Sequence, residues 1–304
     1  MFLAARTRTV MARDQTTVRG QLAGIALGDA DEVAVMGALN VSPESFYGGS
    51  VVTRDDDLRR AADRMARGGA AAIDVGAMST APYLKTRISE GEEAERLAAA
   101  VRLVVQTVAI PVSADTSRVA PARAALDAGA RVINDVTGLA GDPGLGGIVA
   151  EAGAGLILMV SEHGPGEKAH AGDPVDVVSR LLCAGLDRAR AAGIAPEAVV
   201  IDPGVGFFRH GAMPWYEWDC AVLAGLERLR ALRRPICVGV SRKSFLGALT
   251  GQDDPRSRLP GSLAATAVAV LGGAHLIRTH DVAETVQAVR IAAAVRRARS
   301  TPRG

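Results

Sequence analysis

The chain has 304 residues, of which 48% are hydrophobic and 22% charged, a composition typical of globular proteins with a large core. A formal net charge of +2 gives no reason to predict a nucleic-acid or membrane-surface partner, and 3% aromatic residues are too few for stacking on single strands. Three widely spaced cysteines fit neither a zinc site nor a disulfide framework, and no signal-peptide-like start or long apolar run occurs, so we expect a cytoplasmic protein without a membrane span.

Eight short apolar runs recur along the chain after an N-terminal extension, residues 1–33. Within the extension, the stretch TVRGQLAGIALGDADE predicts a hairpin or a cap across one end of the fold. The apolar runs begin near residues 33, 71, 110, 131, 155, 199, 235 and 275, and a segment of helical composition follows each of them. Runs that are apolar on both faces are typical of parallel strands covered by helices.

A Gly-Ala pair precedes several of these runs, at Gly69, Gly129, Gly153 and Gly273. A glycine at the end of a helix can adopt the left-handed conformation, after which the chain enters the next strand. Eight strand–helix units in a chain of this length predict a (β/α)8 TIM barrel over residues 34–297, with a short C-terminal tail over 298–304. A doubly wound open sheet shares the local pattern and stays open as the alternative.

Polar residues stand at nearly every predicted strand end. In a barrel, these ends converge on one mouth, where the chemistry of the fold takes place. Carboxylates and amides suit a flat heterocycle rich in N–H donors, whereas Arg, Lys and His suit phosphate. In chain order the residues at or near the strand ends are Asn40, Asp115, Asn134, Asp135, Met159, Asp202, Lys243, Arg278 and His280, and Asp74 lies inside the second strand.

Three segments carry signals for the start of a helix. Ser241, in GVSRKSFLGAL, predicts an N-cap whose helix presents free N–H groups to the mouth, with Arg242 and Lys243 adding positive charge. Asp135 likewise predicts a cap for the helix after its strand. The charge run RDDDLRR at 54–60 predicts a helix start with a solvated face.

The ordered set of these motifs resembles the dihydropteroate synthase family of pterin-binding barrel enzymes. MGALNVSPESFYGGS looks like the first signature of that family, and DVGAMST resembles the second. The later signatures are similar, in the same order, to SADTSRVAPARAALDAGARVINDVTG, VIDPGVGF, GVSRKSFLG and RSRLPGSLAATAVAVLGGAHLIRTHDV. The resemblance spans roughly residues 34–295 and is specific as a set.

The resemblance implies a transferase that joins an arylamine to a pterin carrying a CH2-diphosphate, with release of diphosphate and the help of Mg2+. It implies Asp115, Lys243 and Asn40 as catalytic residues, with Asn40 also on the metal. The pterin would be held by Asp115, Asn134, Met159, Asp202, Phe207, Gly239 and Lys243. The diphosphate would be held by Asn40, Arg278 and His280, and the arylamine by Thr80, Pro82 and Ser244. A homodimer is expected from the resemblance alone.

The second loop departs from the family pattern, which usually reads Gly-Glu-Ser-Thr-Arg-Pro-Gly. Here Ala81 replaces the arginine, and Tyr83, Lys85 and Arg87 follow shortly after it. Loss of a guanidinium removes a paired contact to an anion, so we expect the acceptor half of the site to be altered. The acceptor is therefore predicted to be either p-aminobenzoate or a ribosylated aminobenzene phosphate of the kind used in building methanopterin-type carriers.

Two other positions also differ from the family pattern: Val160 stands where a histidine is usual, and Phe208-Arg209 where a small residue and a lysine are usual. Two alternative functions stay open beside the transferase. One is a pterin-dependent methyltransferase acting on a corrinoid protein, which needs no diphosphate clamp. The other is a non-catalytic pterin-binding homologue, which the missing arginine at Ala81 keeps open.

Overall fold

The barrel of this protein is preceded by a small hairpin. The structure, a computed structural model, describes residues 17–41, 54–78, 88–162 and 172–300. Strands β1 (Arg19–Leu22) and β2 (Ile25–Gly28) pair in antiparallel fashion. This is the hairpin that the sequence of the N-terminal extension predicts.

Eight short parallel strands form one nearly closed barrel. They are β3 (Ala34–Asn40), β4 (Ala72–Gly76), β5 (Val112–Asp115), β6 (Val132–Asp135), β7 (Gly155–Met159), β8 (Val199–Asp202), β9 (Cys237–Gly239) and β10 (Leu276–Thr279). The strands are hydrogen-bonded in the order β8-β7-β6-β5-β4-β3-β10-β9. A parallel bridge between Ile201 and Ile236 brings β8 beside β9. All eight apolar runs are thus strands, which confirms the barrel and excludes the open sheet.

Helices alternate with the barrel strands and cover their outer face. In the described ranges they are α1 (Asp55–Arg67), α2 (Glu90–Thr107), α3 (Val119–Asp127), α4 (Leu145–Glu151), α5 (Pro174–Ala191), α6 (Trp215–Ala224), α7 (Ser244–Thr250), α8 (Leu259–Leu271) and α9 (Val282–Ser300). Helix α1 begins at the predicted charge run, and its first-turn aspartates face the positive end of the helix dipole. Helix α9 extends past residue 297, where the sequence placed the end of the barrel. Among the described helices, none has the length and apolar character needed to cross a membrane.

The turns from helix to strand explain the repeated Gly-Ala pairs. Gly69, Gly129, Gly153 and Gly273 all have positive φ, between 59° and 110°. Each lies two residues past the last residue of a helix, where a left-handed residue reverses the chain toward the next strand. These turns set the helix-to-strand spacing that lets every strand enter the barrel in the same direction.

The protein has two apolar cores, and the smaller one closes the amino end of the barrel. The larger core lies between the strands and the surrounding helices. The smaller core fills the amino end of the barrel, where Leu22 and Leu27 of the hairpin pack against Met36, Ile157 and other residues that start the strands. Because the hairpin closes this end, ligands have access from the carboxyl ends of the strands.

Candidate active site

An arginine shared by two buried carboxylates lies at the centre of the mouth. Arg278, on β10, donates from Nε to Asp74 Oδ2 at 2.7 Å and from Nη2 to Asp115 Oδ2 at 3.0 Å. Asn134, on β6, donates from Nδ2 to the same Asp74 oxygen at 2.9 Å. One polar cluster therefore joins four strands of the barrel, β4, β5, β6 and β10.

The carboxylates of this cluster retain oxygens that can accept hydrogen bonds from a ligand. Burial raises the pKa of Asp115 to about 7, while Arg278 opposes the rise and Asp74 adds to it. Burial disfavours the charged form of Arg278, but the two carboxylates raise its pKa above the ordinary value. Asp74 Oδ1 and Asp115 Oδ1 are buried and have no hydrogen-bond partner among the described residues. Unsatisfied buried oxygens of this kind are a feature of sites that bind N–H donors.

A second group is built on the turn that follows β8. Asp202 Oδ1 accepts a hydrogen bond from the N–H of Gly204 at 2.8 Å, and Asp219 Oδ1 accepts one from the N–H of Gly206 at 2.7 Å. Lys243 donates from Nζ to the carbonyl of Val205, in the middle of the same turn. The two carboxylates thus bind the N–H groups of Gly204 and Gly206, and Lys243 binds the carbonyl between them.

Burial shifts the titration of the groups around this turn. It raises the pKa of Asp202 and that of Asp219, the latter to about 6. It lowers the pKa of Lys243 to about 8, against the attraction of both carboxylates. The Lys243 ammonium also lies 4.8 Å from the centroid of the Phe207 ring. The arrangement combines a carboxylate, a cation and an aromatic face within one wall of the mouth.

The turn after β8 has no room for a side chain at Gly204. A substitution at this position therefore tests how closely the turn packs against the end of β7. Gly204 has φ +71°, and a Cβ placed there would lie 1.9 Å from the carbonyl oxygen of Val160. Gly251 has φ +70° with nothing within 4 Å of the same position. We expect Gly251→Ala to cost about 1–2 kcal/mol of unfolding free energy from backbone strain alone. Gly204→Ala is expected to cost more than about 4 kcal/mol or to prevent folding.

Denaturant unfolding of the two glycine variants separates the causes. Because both glycines have nearly the same φ, the difference between the variants reports the clash with Val160 alone. Equal losses of stability would contradict the close approach of the two loops.

His280 and Ser241 form a separate pair beside Arg278. Ser241 Oγ lies 3.0 Å from His280 Nδ1 and accepts the backbone N–H of His280 at 3.2 Å. Burial lowers the pKa of His280 to about 3, with Arg278, Arg242 and Lys243 adding to the effect. His280 is therefore neutral at physiological pH and offers an anion one ring N–H rather than a charge.

The structure corrects the predicted helix cap at Ser241. Helix α7 begins only at Ser244, and its N-cap position is Lys243. Ser241 is instead held by His280, since the chain makes an extra turn between the strand and the helix. The predicted contribution of Arg242 is also wrong, because its side chain is buried and pairs with both carboxylate oxygens of Asp281 at 2.6 and 2.8 Å.

Asp135 has a different role from the predicted helix cap. Its Oδ1 accepts from the N–H of Thr137 at 3.0 Å, and its Oδ2 accepts from the N–H of Leu139 at 2.6 Å. Helix α4 begins well beyond these residues, at Leu145. Asp135 therefore closes the turn directly after β6, because those amides are the first that its short side chain reaches.

The remaining predicted site residues lie around the same mouth wherever the structure describes them. Asn40 ends β3, and its Oδ1 is 3.3 Å from where a Cβ on Gly76 would lie. Met159 ends β7 in register with Asp202. A Cβ on Gly239 would lie 3.7 Å from Arg278 Cβ. Thr80 and Pro82 lie outside the described residues, as do Ala81, Tyr83, Lys85 and Arg87.

Asp219 is a site residue that the sequence analysis missed. It lies inside α6 among apolar and aromatic residues, without a motif around it. It is fully buried, and within the described ranges its Oδ2 has no hydrogen-bond partner. A charged residue on an otherwise apolar helix face is the one signal that points to it.

Comparison with known proteins agrees with this architecture. A family model described as pterin binding enzyme matches residues 36–280. Dihydropteroate synthase from Mycobacterium leprae is 41% identical over 271 residues, which cover 86% of this chain and 93% of that protein. The Yersinia pestis dihydropteroate synthase, solved with a sulfonamide drug complex, superposes with a TM-score of 0.82 and 34% identity over 92% of this chain and 99% of that one.

A third relative was solved with a product-like ligand. The Xanthomonas albilineans dihydropteroate synthase in complex with 7,8-dihydropteroate gives a TM-score of 0.78 and 35% identity, covering 93% of this chain and 100% of that one. Family match, sequence identity and superposition all extend over most of the chain. This protein belongs to the dihydropteroate synthase family of pterin-binding enzymes.

Proposed function

We propose that this protein is a transferase that joins an arylamine to a pterin carrying a CH2-diphosphate and releases diphosphate, as a step of folate biosynthesis. The observation that carries the proposal is the mouth itself. Buried oxygens of Asp115 and Asp202 face the same barrel opening as Arg278 and Lys243. Acceptors for a heterocycle therefore stand beside cations for an anionic leaving group.

The pterin half of the site would be held by side chains of three strands, β5, β6 and β8. Asp202 would accept two N–H bonds from the amino-pyrimidinone edge, a charge-assisted and orienting contact. Asp115 Oδ1, which is buried without a hydrogen bond, would accept another ring N–H. Asn134 supplies an amide beside them, and its Nδ2 is already bonded to Asp74.

The diphosphate half would be held by Asn40, Arg278 and His280. Arg278 supplies the positive charge, and His280 supplies a neutral ring N–H because of its lowered pKa. Asp115, with Arg278 as its counter-ion, would stabilise the positive charge that develops on the methylene carbon as diphosphate departs.

Magnesium fits this site only as an ion shared with the substrate. The described ranges contain no group of three or more His, Cys, Asp or Glu side chains able to hold a metal ion. Asn40 offers one amide oxygen, the hard type of ligand that Mg2+ accepts alongside water and phosphate oxygens. The ion would neutralise charge on the departing diphosphate. Because the arylamine nitrogen needs little activation, the chain's own residues act by positioning and electrostatics.

The acceptor, the oligomeric state and the compartment are parts of the same proposal. The acceptor is p-aminobenzoate or a ribosylated aminobenzene phosphate, the second being favoured by Ala81 in the altered loop. Homodimerisation rests on the resemblance to the family. A cytoplasmic location is supported by the cysteines, of which Cys237 is buried and none is paired in a disulfide.

An assay of diphosphate release tests the reaction. Purified protein is supplied with the pterin diphosphate, Mg2+ and a panel of arylamines that includes both candidate acceptors. We expect amine-dependent release of diphosphate, with one acceptor preferred. Tight binding of the pterin without release by any amine would contradict the transferase and leave the non-catalytic homologue. Transfer of a methyl group to a corrinoid protein would favour the methyltransferase instead.

A further inference from the structure

A cavity lined by arginines lies at the amino end of the barrel, opposite the mouth. Arg19 is the first residue of β1, in the hairpin that closes this end. Arg233 and Arg234 lie shortly before β9, where the chain enters the barrel. Together with Thr17 and Leu232, these three arginines line a cavity of about 550 Å³. This arginine cavity falls within the size range of small-molecule sites.

Close packing of the hairpin brings the arginines to one place. Gly20 lies so near to Pro235 that a Cβ added to the glycine would be 2.7 Å from Pro235 Cγ. Arg19 directly precedes Gly20, and Arg234 directly precedes Pro235. The contact between the glycine and the proline therefore places arginines from two distant segments of the chain around the same cavity.

The surroundings of Arg234 are predominantly positive. Burial lowers the pKa of Arg234, and the charges of Arg190 and Arg233 lower it further, whereas Glu197 opposes the shift. Arg190 has a partner of its own in Asp187, at 2.7 Å. A ligand with negative charge would relieve the repulsion between these neighbouring cations.

The guanidinium of Arg234 is only partly satisfied by the protein. Its Nη1 donates to the carbonyl of Arg233 at 2.9 Å. Its Nε is buried and has no hydrogen-bond partner in the part of the chain that the structure describes. Because buried donors are normally paired, an unpaired one on a half-buried arginine points to a group that the protein itself does not supply.

The backbone of Arg233 takes a conformation that disfavours a side chain. The residue ends the 3₁₀ helix Leu226–Leu232 with φ +56° and ψ +37°, in the left-handed region. Gly251, which ends α7, takes nearly the same conformation without the strain that a Cβ causes. A strained position that carries a long, exposed cation indicates a role for that cation in function.

We propose that the arginine cavity binds a small ligand that carries two or more linked phosphate groups. Each guanidinium offers paired N–H donors that match two phosphate oxygens, and several guanidinium groups around one cavity match a chain of phosphates. Inorganic polyphosphate and a nucleotide share this chemistry. The site lies at the opposite end of the barrel from the substrate-binding residues, so the inference goes beyond the proposed transferase function and does not depend on it.

The test measures binding by calorimetry with inorganic phosphate, inorganic triphosphate and ATP. We expect triphosphate to bind more tightly than phosphate. Arg233→Gly is expected to weaken triphosphate binding at least about tenfold, the effect of losing one hydrogen bond to a charged group. The melting temperature should fall by less than about 2 °C, because glycine takes the left-handed conformation without strain. Binding at the mouth would be unaffected by this change.

Three further variants separate this site from general attraction between charges. Arg234→Gln is expected to weaken triphosphate binding at least about tenfold, and Arg234→Lys to weaken it less, because lysine keeps the charge but not the paired donors. Arg123→Gln removes the same charge from an exposed ion pair on α3 and should leave the affinity unchanged. A loss in Arg123→Gln as large as that in Arg233→Gly would overturn the inference.

The wild-type protein decides the remaining outcomes. If it binds none of the three probes, or if it and Arg233→Gly bind triphosphate equally well, the inference is wrong. Equal affinity for triphosphate and ATP, lost in Arg233→Gly, would support a site that recognises the phosphate chain alone. Tighter binding of ATP that is lost in the same variant would support a nucleotide site.

Discussion

Asp202→Asn is expected to lower kcat/KM for diphosphate release by at least about 100-fold, because one carboxylate oxygen that accepts N–H bonds becomes an amide that donates them. Loss of one partner of a buried charged contact costs about 2–5 kcal/mol, and here the donors of the ligand would face new donors. The fold should survive, since the remaining oxygen of the asparagine can still accept the N–H of Gly204.

Asp219→Asn is the matched control for this change. Asp219, inside α6, accepts the N–H of Gly206 in the same turn. Like Asp202, it contributes negative charge near Lys243. Asparagine can keep that bond, so we expect a loss of less than about tenfold, through the altered charge at Lys243. For both variants, pterin affinity is measured by calorimetry and turnover by diphosphate release. Similar losses of kcat/KM in the two variants would show that Asp202 stabilises the turn and does not contact the ligand.

Arg278→Met is expected to reduce both stability and activity. The change leaves Asp74 and Asp115 buried without their shared cation, and breaking a buried pair in this way costs about 3–5 kcal/mol. Burial already raises the pKa of Asp115 above that of an unfolded chain, so the carboxyl binds its proton more readily when folded. The loss of stability should therefore be greater at pH 8 than at pH 5.5, where protonation removes the repulsion.

Two comparisons separate stability from chemistry in this prediction. Arg230→Met breaks a similar two-bond pair with Asp29 at the opposite end of the barrel, so it should lower stability while diphosphate release per folded molecule is kept. Adding Asp74→Asn to Arg278→Met should recover stability without recovering turnover. Recovery of full turnover in the double variant would show that Arg278 is needed only to neutralise Asp74.

The strand pattern was predictable because the barrel strands are largely apolar on both faces, and most of them end at a polar residue. Those ends meet at one mouth in any barrel, so the convergence of Asp115, Asp202, Lys243 and Arg278 followed from the topology alone. The resemblance then supplied roles for these residues, which the geometry accommodates and the experiments above test.

Apart from Asp135, whose partners lie within four residues, the errors concern side chains whose partners lie far away in the sequence. The charge of Arg242 suggests a cation for the mouth, but Asp281, thirty-nine residues on, pairs with it. Ser241 has the sequence context of a helix cap, but its partner His280 lies just after β10. Asp219 had no local signal at all, since its role depends on the turn after β8. Local patterns predict elements, but contacts between elements decide which polar groups are left for a ligand.

The sequence distance spanned by the central ion pair has a consequence for how the protein is made. Asp74 and Arg278 are 204 positions apart, and the strand that carries Arg278 is the last of the barrel. During synthesis, Asp74 and Asp115 emerge from the ribosome long before the cation that neutralises them. A chain interrupted before β10 therefore holds neither the closed barrel nor the charge balance of its mouth. The site is therefore complete only once the final strand has been made.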